Sequence, residues 1–99
     1  METKNFHAVR AVKLALRITH DRLDSDIESE VEACRADLTL HGITYAADSD
    51  PLILNAVKLW ARSVFTDDTA KAAEWLARYK ALRDSLKQAE GYGWGAEDE

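Results

Sequence analysis

An all-α fold is what this sequence predicts, and three observations predict it. Glycine and proline are scarce, four of one and one of the other in 99 residues, too few turn formers for many short strands. Four segments repeat apolar residues at spacings of three and four, the mark of one buried helical face. Capping residues stand at several of the boundaries between them. The length suits one domain with a modest core. The expected organisation is a single four-helix domain over residues 1–90, followed by a flexible aromatic and acidic tail over 91–99.

The first helix is expected over about 5–17. Phe6, Val9, Val12 and Leu16 make its buried face, and Ala8, Ala11 and Ala15 widen it. Lys13 and Arg17 near its end suit the negative end of the helix dipole. An acidic link, Thr19 to Asp24, leads to a second helix over about 24–41. There Ser25 and Glu28 fit a capping box, and early acids favour a helix start. Leu23, Ile27, Val31, Cys34 and Leu38 form one apolar stripe, and Gly42 supplies the stop.

After a loop from Ile43 to Ser49, Asp50 and Pro51 give the cleanest local signal, an N-cap followed by proline at the first helical position. The third helix is expected over 51–65, with Ile53, Val57, Trp60 and Val64 on its main face and Leu52, Ala56 and Leu59 beside them. It is the most apolar of the four and is expected at the centre of the core. A turn over Thr66 to Thr69 precedes a fourth helix over about 69–90. Trp75, Leu76, Tyr79, Leu82, Leu86 and Ala89 form its apolar face, while Lys71, Arg78, Lys80, Arg83 and Lys87 form a basic one.

The net charge of −5 does not suit a tight duplex-DNA binder, which needs a basic footprint. The charge is unevenly spread: +3 over residues 1–20, −7 over 21–50, +2 over 51–90 and −3 over 91–99. The lone Cys34 cannot form an intrachain disulfide. No apolar run nears the roughly 20 residues a membrane span needs, and the first ten residues lack the apolar core of a signal peptide. Synthesis in a cytoplasm, with no membrane partner, is the expectation.

Chemistry-bearing motifs are missing from the sequence. His7, His20 and His41 have no metal-site spacing, and the acids from Asp21 to Glu32 lack the glycine and spacing of a calcium loop. Cys34 sits on an apolar stripe among acids, a poor setting for a thiolate. There is no phosphate-binding glycine loop and no nucleophile elbow. No enzyme activity, no cofactor and no metal are expected.

The signals that remain concern interfaces. Tyr92 and Trp94 lie between glycines beyond the last helix. They either fold back on the bundle or anchor a flexible arm on a partner, where aromatics are favoured. The acidic second helix and the basic first and fourth either balance each other internally or meet across neighbouring copies in a head-to-tail contact that closes into a ring when the rotation permits. The candidate subunit or partner interface is therefore Asp24, Asp26, Glu28, Glu30, Arg78, Arg83, Tyr92 and Trp94.

Several of these segments, taken in order, resemble a known family. Val12 to Ile18 runs into an acidic link ending at Asp24. An acid-rich helix reaches Ala36, Asp37 and Leu38, with Gly42 and Ile43 after it. Asp50, Pro51, Leu52 and Ile53 open an apolar helix ending at Phe65, and the last helix carries Trp75, Tyr79, Leu82 and Leu86 before Gly91 and Tyr92. This order, over about residues 8 to 92, resembles the bacteriophage head–tail connector family, also called head-completion or adaptor proteins. The similar branch is the small all-helical one common in phages and prophages of Gram-positive bacteria. The resemblance implies a non-enzymatic virion protein that forms a ring of about twelve copies beneath the portal protein. Such a ring extends the channel through which DNA passes and offers a surface to the next connector or tail-completion protein. The chain would reside in the host cytoplasm before virion assembly. Two features depart from the family: its link is often more acidic, and the glycine-spaced aromatics of the tail are unusual.

Two other readings compete. A soluble helical interaction module, regulatory or antitoxin-like, would be a monomer or closed dimer and never a ring. A helix-turn-helix DNA binder is disfavoured by the long link before residues 51–65 and by only two basic residues there, Lys58 and Arg62.

Overall fold

The structure, a computed structural model, describes residues 5–43 and 50–89. It contains four helices, α1 (Phe6–Leu16), α2 (Asp24–Leu40), α3 (Pro51–Phe65) and α4 (Thr69–Gln88), with no strand among the described residues. The fold is all-α as the periodicity requires. The ends of α1, α2 and α4 fall one or two residues inside the expected limits, and α3 has the expected ones.

Each boundary has a local cause. At the start of α3 the Asp50 carboxylate accepts the backbone N–H groups of Leu52 at 2.9 Å and Ile53 at 3.2 Å, with Pro51 at the first helical position. At α4 the Asp68 carboxylate accepts the Lys71 N–H at 3.0 Å. The second helix ends on Gly42, whose φ of 88° lets the Ile43 N–H turn back to the Leu38 carbonyl at 2.9 Å. That closure drops Ile43 onto the core beside Leu38.

The first helix ends the same way without glycine. Arg17 holds φ 61° and ψ 40°, and the Ile18 N–H reaches the Lys13 carbonyl at 2.8 Å. A side chain in that left-handed region costs roughly 1–2 kcal/mol. The expected capping box at α2 does not form. Asp24 is already helical, Leu23 occupies the cap position, and Ser25 lies within the first turn.

The third helix is the hub, packing on α4 most extensively and also on α1 and α2. It buries Ile53, Ala56, Val57 and Ala61. Four residues of the expected α2 stripe are inside, Ile27, Val31, Cys34 and Leu38 each at most 2% exposed, while Leu23 at the cap is half-buried. The face of α1 differs from expectation. Ala8 and Val12 are its buried residues, Val9 and Leu16 are only half-buried, and Phe6 is 41% exposed. With the small Ala8 wholly buried, the bulkier Phe6 is turned away from the core.

On α4 the core takes Tyr79 and Leu86 fully and Leu76 and Leu82 partly. Trp75 lies outside that core, and Ala89 is exposed beyond the helix end. No helix among the described residues is long and apolar enough to cross a membrane.

Candidate interface surfaces

The acids of α2 divide by what they meet. Glu30, Cys34 and Asp37 follow at spacings of four and three, which sets them along one side of the helix. Cys34 is buried, and the acids flanking it face α3 and α4. Glu30 accepts the Trp60 indole N–H at 3.0 Å. Asp37 Oδ2 accepts the Tyr79 hydroxyl at 2.6 Å and Arg83 Nη1 at 3.1 Å. The Trp60 and Tyr79 rings meet edge to face, 5.2 Å between centroids and 78° between planes. Tyr79, fully buried, and Trp60, half-buried, thus satisfy their donors on two carboxylates of one helix.

The titration of this cluster follows its geometry. Burial pushes the Tyr79 phenol well above its ordinary value, and the adjacent Asp37 carboxylate pushes it the same way. For Asp37 burial works to raise the carboxyl, but the hydrogen bonds from Tyr79 and Arg83 outweigh it, and the net shift is downward. Burial pushes the Cys34 thiol up to about 12, so the thiol is protonated and a poor nucleophile.

A second cluster closes the acidic link. Lys13 Nζ lies 2.8 Å from both Asp21 Oδ1 and Asp24 Oδ1. Those two carboxylates hold the ammonium above its ordinary value, and Lys13 in turn holds Asp21 below its own. Nearby, the Asn5 amide donates to Glu28 at 3.5 Å and to Glu32, tying the start of α1 to α2.

The interface residues read from the sequence therefore separate. Asp24 and Glu28 are half-buried and meet Lys13 and Asn5, and Glu30 meets Trp60. Asp26 is exposed. Arg83 leaves the basic face and reaches Asp37, its side chain only 13% exposed. Arg78 stays at the surface, pairing with Glu74 at 3.3 Å and lying 5.1 Å from the centre of the Trp75 ring. Tyr92 and Trp94, and the loop from Thr44 to Ser49, lie outside the described residues. One acid–base pair, Asp37 with Arg83, joins the acidic and basic helices within the chain.

Two surfaces were not singled out by the sequence. Phe6, Val9, Leu14 and Ile18 line an open groove of about 550 Å³ between α1 and the start of α2, edged by Arg10, Lys13, Asp24 and Glu28. Leu14 is 71% exposed there. Elsewhere Arg62 and Arg78 both stack on Trp75, each 5.1 Å from its centre. Beside them Asn55, Lys58, Leu59, Arg62 and Leu82 line a smaller cleft of about 320 Å³. The exposed Leu14, midway between Val12 and Leu16 of the buried-face repeat, was the available signal for the first. Nothing in the spacing of α3 joins Arg62 to Trp75.

Among the described residues no three His, Cys, Asp or Glu side chains gather as a metal site. The fold and these surfaces define a small all-helical protein in which several polar side chains, among them Glu30, Asp37 and Arg83, join its own helices. No family model, no curated protein and no solved structure matches the chain.

Proposed function

We propose that this chain is a structural subunit of a tailed bacteriophage or prophage, a head–tail connector that assembles as a ring beneath the portal protein. In that role it extends the DNA channel and presents a surface to the next connector or to a tail-completion protein. It acts in virion assembly, and it is neither an enzyme nor a cofactor carrier.

The observation that carries the reading is the ordered resemblance over residues 8 to 92. Two further features support it. A channel wall must let DNA slide, and a net charge of −5 with no long basic tract avoids a strong grip on phosphate. A ring also needs surfaces that are not used up inside the monomer, and the α1 groove and the Arg62, Trp75 and Arg78 cluster both remain open.

The groove would equally serve a soluble helical module that binds one partner, which is the second reading. Gene disruption separates the two. A connector gene lies among portal and capsid genes, and its loss leaves DNA-filled heads and tails that do not join. Full infectivity without the gene would overturn the connector role.

A further inference from the structure

We infer that the segment following α4, residues 90–99, folds back along its own chain into the cleft between α3 and α4, with its acids on Lys58 and Arg62. The contact lies within one chain, so the inference does not rest on the ring proposed above. A neighbour would have to displace the segment to use this face.

The cleft carries positive charge that nothing described offsets. Asn55, Lys58, Leu59 and Arg62 of α3 and Leu82 of α4 line a space of about 320 Å³. Beside it Arg62 and Arg78 stack on Trp75, each 5.1 Å from its centre. A guanidinium held on an indole keeps its N–H edge for a carboxylate. Arg78 has one, Glu74 at 3.3 Å. Among the described residues, no carboxylate lies within ion-pair distance of Lys58 or Arg62. Helix α3 itself contains no acid.

The acids of α2 do not supply the missing charge. Trp60, through which α3 meets Glu30, stands two residues from Lys58 and two from Arg62, which puts it on the opposite side of the helix from both. Nor would the α2 of a second copy supply much. Asp24 is held by Lys13, Glu28 and Glu32 by Asn5, Glu30 by Trp60 and Asp37 by Arg83. Among the described residues, Asp26 is the one acid of α2 left over.

The segment after α4 has both the charge and the reach. It holds Glu90, Glu97, Asp98 and Glu99, with Tyr92 and Trp94 between them. Along the helix axis Ala89 stands about 10 Å beyond Leu82 and about 21 Å beyond Trp75. Fully extended, the chain from Ala89 spans about 17 Å to Trp94 and about 27 Å to Glu97. A turn at Gly91 therefore brings Trp94 over the half-buried Leu59 and Leu82, and brings the last three acids to Lys58 and Arg62, with slack at both. A tether this short holds the segment at an effective concentration in roughly the millimolar range. In dilute solution that favours the chain's own segment over the segment of a second copy.

The test is intrachain disulfide trapping in the full chain at high dilution. Asn55→Cys, at an exposed position on the cleft, is combined with Ala96→Cys. The control combines Ala96→Cys with Lys80→Cys, exposed and two residues from Leu82, hence on the other side of α4. In a glutathione redox buffer the cleft pair is expected to close within one chain about tenfold faster than the control pair. Adding Lys58→Gln and Arg62→Gln should remove most of that advantage. Raising the salt from about 0.05 M to about 1 M should do the same with the native charges in place. Equal closure of the two pairs would overturn the inference. So would an advantage indifferent to salt, or a cleft product that links two chains and grows with concentration. Rings seen by electron microscopy without cleft closure would sink this contact alone, and cleft closure without rings would sink the ring alone.

Discussion

One oxygen of Asp37 accepts both the Tyr79 hydroxyl, at 2.6 Å, and the Arg83 guanidinium, at 3.1 Å. The second helix is thereby joined to the fourth by two charge-assisted hydrogen bonds, although the main packing of α4 is on α3. Replacing Asp37 with Asn keeps the shape and removes the charge. We expect Asp37→Asn to lower unfolding stability by about 2 kcal/mol at neutral pH, and Tyr79→Phe by about 1–2 kcal/mol. Urea unfolding of the two variants and the double mutant checks this, and additive losses would mean that Tyr79 and the Asp37 charge are not coupled.

The same carboxylate makes stability depend on pH in a defined direction. Its folded value is depressed below the ordinary 3.8, so its contribution is complete above that value. It is lost as pH falls through the folded value, which lies lower. The gap between wild type and Asp37→Asn should therefore be full at pH 7 and narrow below about pH 4. Thermal melts at both pH values read this, and an unchanged gap in acid would place the depression elsewhere.

Arg17 pays for closing α1 without glycine. Substituting Arg17→Gly should stabilise the protein by about 0.5–1 kcal/mol, because relief of the left-handed strain exceeds the added freedom of the unfolded chain. Denaturant midpoints at equal slope provide the measurement. A loss of stability would mean that the exposed Arg17 side chain contributes more than its backbone costs.

Cys34 is fully buried and its thiol lies near 12. A thiol reagent at pH 8 should label the native protein only at the rate of its opening, far more slowly than the unfolded chain. Labelling as fast as that of a free thiol would show that the packing of α2 is not as described.

The local signals in the sequence were sufficient for the helices. The Asp50 and Pro51 start, the glycine stop at position 42 and the α2 stripe each depend on residues within a turn or two, and each stands where the pattern put it. The acids were harder. Glu30 and Asp37 look like members of a solvated face because spacing alone does not reveal a donor 30 or 42 residues away. Arg83 belongs to a basic face by composition and to the Asp37 cluster by packing. The left-handed Arg17 has no signal at all, since the geometry that usually demands glycine is here imposed on arginine. The α1 groove is half legible: Leu14 falls off the buried repeat, but Phe6 falls on it and is nonetheless 41% exposed, with the small Ala8 buried instead.

The central claim is that this chain builds a ring. The mass and shape of the purified full chain over a range of concentrations, by light scattering and negative-stain electron microscopy, test it most directly. Closed particles of about twelve copies with a central hole are the predicted result. A tight dimer that neither grows with concentration nor opens a channel would contradict it.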